Sequence, residues 1–266
     1  AGRGQKLSES AVKQYAQEQG LPILQPIKLK DPEFIAQLSA LKPDLQVVVA
    51  FRMLPETVWN LPPQGTVNVH GSLLPKYRGA APINWAILNG EKETGVSTFK
   101  LKHEIDTGDI LLQEKMPIGP NETAGELHDR MKVEGAQLLV KTLQELANGT
   151  LKASQQQLNS DIKHAPKLFK TDCEIDWNNT SEQIHNQIRG LSPYPTAFTV
   201  LGDKTLKIFS AEIEPGKPEI PAGTFSSDHK SYLKFAATDG YLSLKEMQLE
   251  GKKKMGIEEF LRGIRL

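Results

Sequence analysis

The chain has 266 residues, of which 38% are hydrophobic, so it is long enough for one large or two ordinary domains with a sizeable core. Lys and Arg (32) balance Asp and Glu (32), so the overall charge indicates no polyanionic partner, although a local basic patch is compatible with it. The single cysteine, Cys173, excludes an intrachain disulfide framework and fits the cytoplasm, and no apolar run is long enough to span a membrane.

The first elements predict helices that alternate with strands. A helix is predicted at about 8–19 and a short strand at 21–26 ("LPILQP"), and Asp31-Pro32 predicts the cap and first turn of a second helix. The β-branched run within 45–54 predicts a strand buried on both faces. This order favours parallel strands joined by crossover helices.

The next elements continue the α/β pattern and lead into a long helix. Strands are predicted at 66–70, 94–101 and 109–118, with a short helix at 83–90. Thr123 and Glu126 form a capping-box pattern that opens a helix reaching about residue 149. We therefore assign residues 1–150 to an α/β domain.

The remainder predicts a linker and a second domain. Residues 151–170 have weak periodicity and many Gln, Lys and Pro residues, which is typical of a linker. In residues 171–266, Thr180 and Gln183 cap a helix, and short strands then alternate with turn signals up to a terminal helix. This spacing favours a small β-barrel.

Three polar side chains follow the predicted strands and are candidates for a site. In "VNVHGSLLPKYRGAAPINW" (67–85), Asn68 and His70 are two residues apart, so on a strand they share a face. Asp106 lies in the Asp-Thr-Gly turn before another strand. Because open α/β sheets bind ligands where their strands end, we expect the three to converge. An imidazole oriented by a carboxylate, beside an amide that donates to an oxyanion, makes an acid/base site without a covalent nucleophile.

Other chemistries have weaker support. Each of the three residues alone is more typical of a turn, a strand-end cap or a structural histidine. Ser72 is not in a G-x-S-x-G motif, and the other histidines show no metal-ligand spacing. Neither a P-loop nor a G-x-G-x-x-G motif occurs, and Cys173 has no histidine partner pattern, so we predict that it is inert and that no metal is bound.

Taken together, "NVHGSLLPKYRGAAPINW", "IDTGDIL", "AGRGQKL", "AFRMLP" and "IRGLSPYP" resemble the folate-dependent formyltransferases, and most of all those that act on methionyl-tRNA. The resemblance covers nearly the whole chain. It implies a Rossmann-like domain joined by the linker to a C-terminal OB-like β-barrel that binds tRNA. Family members have a strand, a helix and a strand before the AGRG loop, so we expect about forty such residues to be missing here.

The resemblance also implies an activity. It is the transfer of a formyl group from 10-formyltetrahydrofolate to the α-amine of methionyl-initiator tRNA, for translation initiation. Asn68 would stabilise the oxyanion, His70 would move protons, and Asp106 would orient His70. The folate would be held by the loop Ser72, Leu73, Leu74 and Pro75 and by Arg52, Met53 and Leu54.

The same resemblance gives candidate tRNA contacts in a protein that we expect to be a monomer. Arg3 and Lys6 lie on the opening loop, which in the family inserts into the acceptor stem. The run Lys252, Lys253 and Lys254 is a second candidate, although a run of lysines is usually solvated surface.

Two alternatives remain open from the sequence. One is a formyltransferase acting on an amino sugar nucleotide, which shares the Asn-His-Asp pattern. The other is a non-catalytic OB-fold RNA-binding protein. The predicted C-terminal barrel disfavours the first, and the intact Asn68, His70 and Asp106 disfavour the second.

Overall fold

The computed structural model describes residues 9–49, 53–157 and 162–264. No helix within these ranges is both long and apolar enough to cross a membrane. The helices of the described ranges are α1 Ala11–Glu18, α2 Pro32–Ala40, α3 Glu56–Trp59, α4 Pro82–Leu88, α5 Ala124–Ala147, α6 Ser181–Leu191 and α7 Ile257–Gly263, with a 3₁₀ turn at Lys170–Cys173. The strands are β1 Gln46–Val49, β2 Thr66–His70, β3 Arg78–Gly79, β4 Glu93–Lys100, β5 Ile110–Pro117, β6 His164–Ala165, β7 Ala197–Leu201, β8 Lys204–Pro215, β9 Phe225–Ser227, β10 Leu233–Ala236, β11 Gly240–Leu249 and β12 Met255–Gly256.

The chain divides after Val67 into two compact units, and the first holds α1 to α3 and β1. The two predicted helices are confirmed, the second with its predicted cap at Asp31 and the first with a cap at Ser10. Ser10 Oγ accepts a hydrogen bond from Lys13 N at 3.3 Å, and Asp31 Oδ1 accepts one from Glu33 N at 3.0 Å.

Two strand predictions in this unit are wrong. Residues 21–26 form no strand, because Pro22 and Pro26 have no N–H to donate to a ladder. β1 is formed but is not buried on both faces, since Val47 and Val49 are 37% and 57% exposed. β1 is the end strand of its sheet, and its alternating burial is typical of a strand with one covered face.

The N-terminal sheet has the strand order β1-β2-β4-β5, with β4 and β5 antiparallel. α5 packs against one face of it. A Cβ on Gly135 of α5 would lie 3.4 Å from both Val69 and Val96, and Thr98 Oγ1 lies 2.8 Å from Thr142 Oγ1 of the same helix. Because strand side chains alternate, the residues next to these in sequence face away from α5. The neighbour of Val69 on that other face is His70.

The C-terminal sheet is antiparallel, in the order β7-β8-β11-β10-β9, with β12 paired to β11. α6 packs against β8 and β11, and α7 packs against β11. The core between them includes Ile184, Ile188, Leu206, Ile208 and Phe260, each at most 1% exposed. Burying such side chains supplies the main driving force for this part of the fold. A curled antiparallel sheet covered by helices agrees with the predicted OB-like barrel.

α6 is also tied to the region around α4 and α5. Its buried Arg189 donates from Nη1 to the carbonyls of Gly119 and Glu122 at 3.2 and 3.1 Å. Asn84 Nδ2 of α4 donates to Gly190 O at 2.8 Å. These charge-assisted and backbone hydrogen bonds fix α6 against the α/β part of the same unit.

Part of the predicted linker pairs with the α/β part. β6 runs parallel to β3, with Arg78 opposite His164 and Gly79 opposite Ala165. Ser154 exchanges two backbone hydrogen bonds with Ile110, each 2.8 Å long. The segment thus contributes ordered backbone close to the strand ends that carry the candidate site.

Candidate functional site

His70 is held at the end of β2 by the backbone of the following loop. It is 7% exposed, and its Nε2 lies 2.9 Å from the carbonyl oxygen of Tyr77. Since a carbonyl only accepts, Nε2 carries a hydrogen and donates it. Phe99 packs edge-on against the imidazole, with ring centroids 6.4 Å apart. The ring is therefore fixed, and Nδ1 is the nitrogen left to exchange a proton.

Asp106 faces that nitrogen. Its Oδ2 lies 3.8 Å from His70 Nδ1 and accepts a hydrogen bond from Gly79 N at 2.8 Å. Its backbone is in the left-handed region, at φ 55°. In the same turn, a Cβ on Gly108 would lie 1.5 Å from Lys100 O, so only glycine fits there. The predicted convergence is thus observed for His70 and Asp106.

Asn68 lies two residues before His70 on β2, and strand alternation puts the two side chains on one face. It is half-buried. Its side-chain amide makes no hydrogen bond with any residue that the structure describes. An amide in this position has both its donor and its acceptor available for a bound group.

The loop that begins at Ser72 is tied to β4. Ser72 is fully buried, and its hydroxyl donates to Lys76 O at 2.6 Å. Ser97 Oγ donates to Ser72 O, also at 2.6 Å. The hydroxyl of Ser72 is therefore engaged in closing the loop, while Leu73 and Pro75 are half-buried and partly accessible.

Several predicted site residues lie outside the described residues or in the first compact unit. Arg3, Lys6 and Arg52 lie outside the described residues. Met53 is 77% exposed and Leu54 is half-buried, both in the first unit.

The lysine run is exposed and partly paired. Lys253 Nζ lies 2.9 Å from Glu259 Oε1, and Lys254 Nζ lies 2.8 Å from Glu246 Oε2. Lys252 is exposed and forms no ion pair with any residue in the described ranges. Exposed pairs of this kind contribute little energy and exchange readily with other anions.

Sequence reasoning missed Tyr77 and the cluster around its ring. The phenol donates to Glu91 Oε1 at 2.7 Å, and Lys163 Nζ donates to the same oxygen at 2.7 Å. Burial and then the hydrogen bond to Glu91 raise the pKa of Tyr77 above its usual range. Burial pushes the pKa of Glu91 upward, but the hydrogen bonds from Lys163 and Tyr77 outweigh it, and the net shift is downward.

Gln156 was missed as well. Its Nε2 donates to Asp106 O at 2.8 Å and to Gly108 O at 2.7 Å, so it holds the turn that carries the carboxylate. Its Oε1 accepts from Arg78 Nε at 3.1 Å. Three glutamines follow one another at 155–157, and no sequence pattern distinguishes Gln156 from the other two. Only the fold shows that Gln156 is the one that reaches the Asp-Thr-Gly turn.

The geometry supports acid/base chemistry and does not support thiol or metal chemistry among the described residues. Cys173 is 3% exposed, its thiol lies 3.3 Å from Phe169 O, and burial raises its pKa, which disfavours the reactive thiolate. Within the described ranges, no group of three His, Cys, Asp or Glu side chains is placed to hold a metal ion. The groups available for chemistry are the His70 imidazole with one fixed nitrogen, the Asp106 carboxylate and the Asn68 amide.

Comparison with known proteins identifies the family. The family model "Formyl transferase" matches residues 1–143, and "Formyl transferase, C-terminal domain" matches residues 167–265. The chain is 50% identical over 271 residues to the methionyl-tRNA formyltransferase of Parabacteroides distasonis, covering 98% of this chain and 84% of that one. The corresponding enzyme of Bacteroides thetaiotaomicron is 48% identical over 274 residues, covering 100% of this chain and 85% of its own length. Among solved structures, the sugar 3N-formyl transferase WlaRD, determined with dTDP and 5-N-formyl-THF, has a TM-score of 0.67 at 23% identity, covering 92% of this chain and 83% of that one. With both family models matched along most of its length, the chain belongs to the formyl transferase family.

Proposed function

We propose that this protein transfers the formyl group of 10-formyltetrahydrofolate to the α-amine of methionine on initiator tRNA. The observation that carries the proposal is the 50% identity to a methionyl-tRNA formyltransferase along 98% of the chain. That identity extends through the C-terminal sheet as well as the α/β part. The similarity to a sugar formyltransferase, at 23% identity, extends to the fold alone.

The reaction forms one C–N bond and breaks another. The neutral α-amine attacks the formyl carbon, the carbonyl oxygen becomes an oxyanion, and the amine loses a proton. The tetrahedral intermediate then collapses, the bond between the formyl carbon and N10 of the folate breaks, and N10 gains a proton. The products are formylmethionyl-tRNA and tetrahydrofolate, so proton transfer and oxyanion stabilisation are the tasks left to the protein.

His70 suits the proton transfer. Its Nε2 is committed to Tyr77 O, so Nδ1 takes the proton of the attacking amine and returns it to N10. Asp106 Oδ2, 3.8 Å away, offsets the positive charge that the imidazole carries between the two transfers. The fixed ring and the fixed carboxylate support this assignment.

Asn68 suits the oxyanion. Its amide is half-buried, lies on the same strand face as His70, and is free among the described residues. An amide N–H aimed at a developing oxyanion is typically worth about 2.7–4 kcal/mol of transition-state stabilisation.

The substrate contacts complete the proposal. The loop Ser72 to Pro75, together with Arg52, Met53 and Leu54, forms the folate side. Arg3, Lys6 and the run Lys252 to Lys254 contact tRNA phosphates. The half-buried Leu73 and Pro75 and the exposed lysine run support these assignments.

Kinetics of site variants test the mechanism. With methionyl-tRNA as acceptor, we expect His70→Ala to lower kcat roughly a hundredfold and Asn68→Ala to lower it by about 10²–10³. The matched control is His128→Ala, since His128 is a histidine of α5 with a 64% exposed side chain. Near-normal turnover of His70→Ala, or an equal loss in the control, would contradict the assignment.

A further inference from the structure

The predicted linker supports the reacting side chains directly. We call residues 154–157 and 162–166 the connector segment. We propose that Gln156 of this segment is a positioning residue for Asp106, and through Asp106 for His70, in the proposed formyl transfer. The inference therefore builds on the proposed function but concerns residues that lie outside the reacting groups.

Every polar atom of the Gln156 side chain is used. The amide nitrogen donates to two carbonyls of the Asp-Thr-Gly turn, Asp106 O at 2.8 Å and Gly108 O at 2.7 Å. The amide oxygen accepts from Arg78 Nε at 3.1 Å and Nη2 at 2.5 Å. A single side chain thus joins the turn to β3, whose Gly79 N–H holds the Asp106 carboxylate.

The backbone conformation of Asp106 explains why the turn needs this hydrogen bond. Asp106 has φ 55°, a left-handed conformation that residues with a Cβ rarely adopt. The orientation of its side chain relative to His70 Nδ1 depends on that backbone. A hydrogen bond to the Asp106 carbonyl holds the peptide plane, and with it the direction of the Cα–Cβ bond.

The backbone of Gln156 is fixed in turn by its neighbours. Ser154, two residues earlier, exchanges two 2.8 Å hydrogen bonds with Ile110. Later in the connector segment, Lys163 O accepts from Tyr77 N at 2.6 Å, and Tyr77 O is the acceptor for His70 Nε2. The segment therefore supports both members of the His70–Asp106 pair.

The kinetic test compares two variants of Gln156 with its neighbours. Gln156→Met removes all four hydrogen bonds, whereas Gln156→Glu keeps an acceptor for Arg78 but loses both donors to the turn. We expect each to lower kcat about tenfold, with KM for either substrate changed less than about twofold. The controls Gln155→Met and Gln157→Met alter exposed glutamines that form no side-chain hydrogen bond with described residues, and we expect wild-type kinetics. Wild-type kcat in Gln156→Glu would overturn the proposal, because the tie to Arg78 alone would then suffice.

A double-mutant cycle distinguishes positioning from general stabilisation. If Gln156 acts through the carboxylate of Asp106, then Asp106→Asn combined with Gln156→Met will be no slower than Asp106→Asn alone, to within about twofold. A loss equal to the product of the two single losses would overturn the proposal, since a purely structural role acts independently of the carboxylate.

A measurement without substrate keeps this inference separate from the proposed function. We expect the ¹⁵N NMR signals of the His70 ring to shift in both Gln156 variants and to stay unchanged in Gln155→Met. Unshifted His70 signals in both would overturn the role of Gln156. If the signals shift as expected but the wild-type protein formylates no methionyl-tRNA, the proposed function fails and the placement of Asp106 by Gln156 stands.

Discussion

One hydrogen bond decides which nitrogen of His70 can work as a base. Because Nε2 donates to the Tyr77 carbonyl, the lone pair available to a proton is on Nδ1, on the side of Asp106. In the proposed mechanism, the carboxylate of Asp106 then offsets charge and does not hold the opposite nitrogen of the ring. The backbone of Tyr77, at φ 59°, presents the carbonyl that holds His70 Nε2.

At Gly108 the backbone of the Asp106 turn passes so close to Lys100 that we expect a larger residue there to lower stability. A Cβ on Gly108 would be 1.5 Å from Lys100 O, and backbone atoms cannot move aside cheaply. We expect Gly108→Ala to lower the free energy of unfolding by more than about 1 kcal/mol and to lower formyl transfer with it. Denaturant titration measures the first effect.

The matched control is Gly263→Ala in α7, where a Cβ would meet nothing within 4 Å. That change should leave stability within about 0.5 kcal/mol of wild type or raise it. Equal changes in the free energy of unfolding for Gly108→Ala and Gly263→Ala would contradict the prediction, because the crowding at Gly108 would then have no energetic cost.

At the scale of single elements, α6 connects the C-terminal sheet to the α/β part. It carries two buried ionisable side chains, His185 and Arg189. Arg189 reaches the carbonyls of Gly119 and Glu122, in the loop just before α5. Removing the Arg189 side chain would leave both carbonyls without this donor. The stability of the protein therefore depends on the charged groups of α6.

His185 makes that dependence measurable through pH. Burial, and then the positive charge of Arg189, lower its pKa in the folded state. A lowered pKa means that the neutral form is favoured on folding, so this stabilisation is present above the ordinary pKa of histidine, about 6.5, and is lost as the pH falls below it. We expect the free energy of unfolding to fall from pH 7 to pH 5, and His185→Gln to flatten that fall. His128→Gln, at an exposed site on α5, serves as the control. Equal slopes in wild type and His185→Gln would contradict the prediction.

Local patterns predicted most helices and the strands of the site, because caps and periodicity are local properties. The capping box of Thr123 and Glu126 opens α5 as expected, and Thr180 with Gln183 opens α6. The exposed face of β1 was not predictable from its apolar run, since coverage of a strand depends on its place in the sheet.

Of the candidate site, the sequence predicted only the three residues to which we assign the reaction. His70 and Asp106 lie beside strand ends, where sheet topology brings them together, and alternation along β2 puts Asn68 on the same strand face as His70. The side chains that hold them do not follow such a rule. Gln156 lies 50 residues from Asp106 and looks like its neighbours Gln155 and Gln157, so only long-range contacts distinguish it.

At the scale of the whole molecule, a protein with zero net charge has to recognise tRNA through local clusters. Arg3 lies outside the described residues, and the proposal for it comes from the sequence. We expect Arg3→Ala to weaken the use of methionyl-tRNA without changing the affinity for 10-formyltetrahydrofolate. Loss of one phosphate contact should also flatten the dependence of log affinity on log salt by about one unit.

Lys115→Ala is the control for this measurement, because Lys115 is exposed and pairs with Glu93 at 3.0 Å. A salt slope unchanged by Arg3→Ala, or folate binding impaired as much as tRNA use, would show that Arg3 is not a tRNA contact.

The choice of acceptor tests the central claim most directly. The rate of formyl transfer from 10-formyltetrahydrofolate is measured for methionyl-initiator tRNA and, under the same conditions, for a dTDP-linked amino sugar. We expect kcat/KM to be at least about 10³-fold higher with the charged tRNA, because the proposed tRNA contacts are available to that acceptor alone. Comparable or faster transfer to the amino sugar, or no transfer to the charged tRNA, would contradict the account.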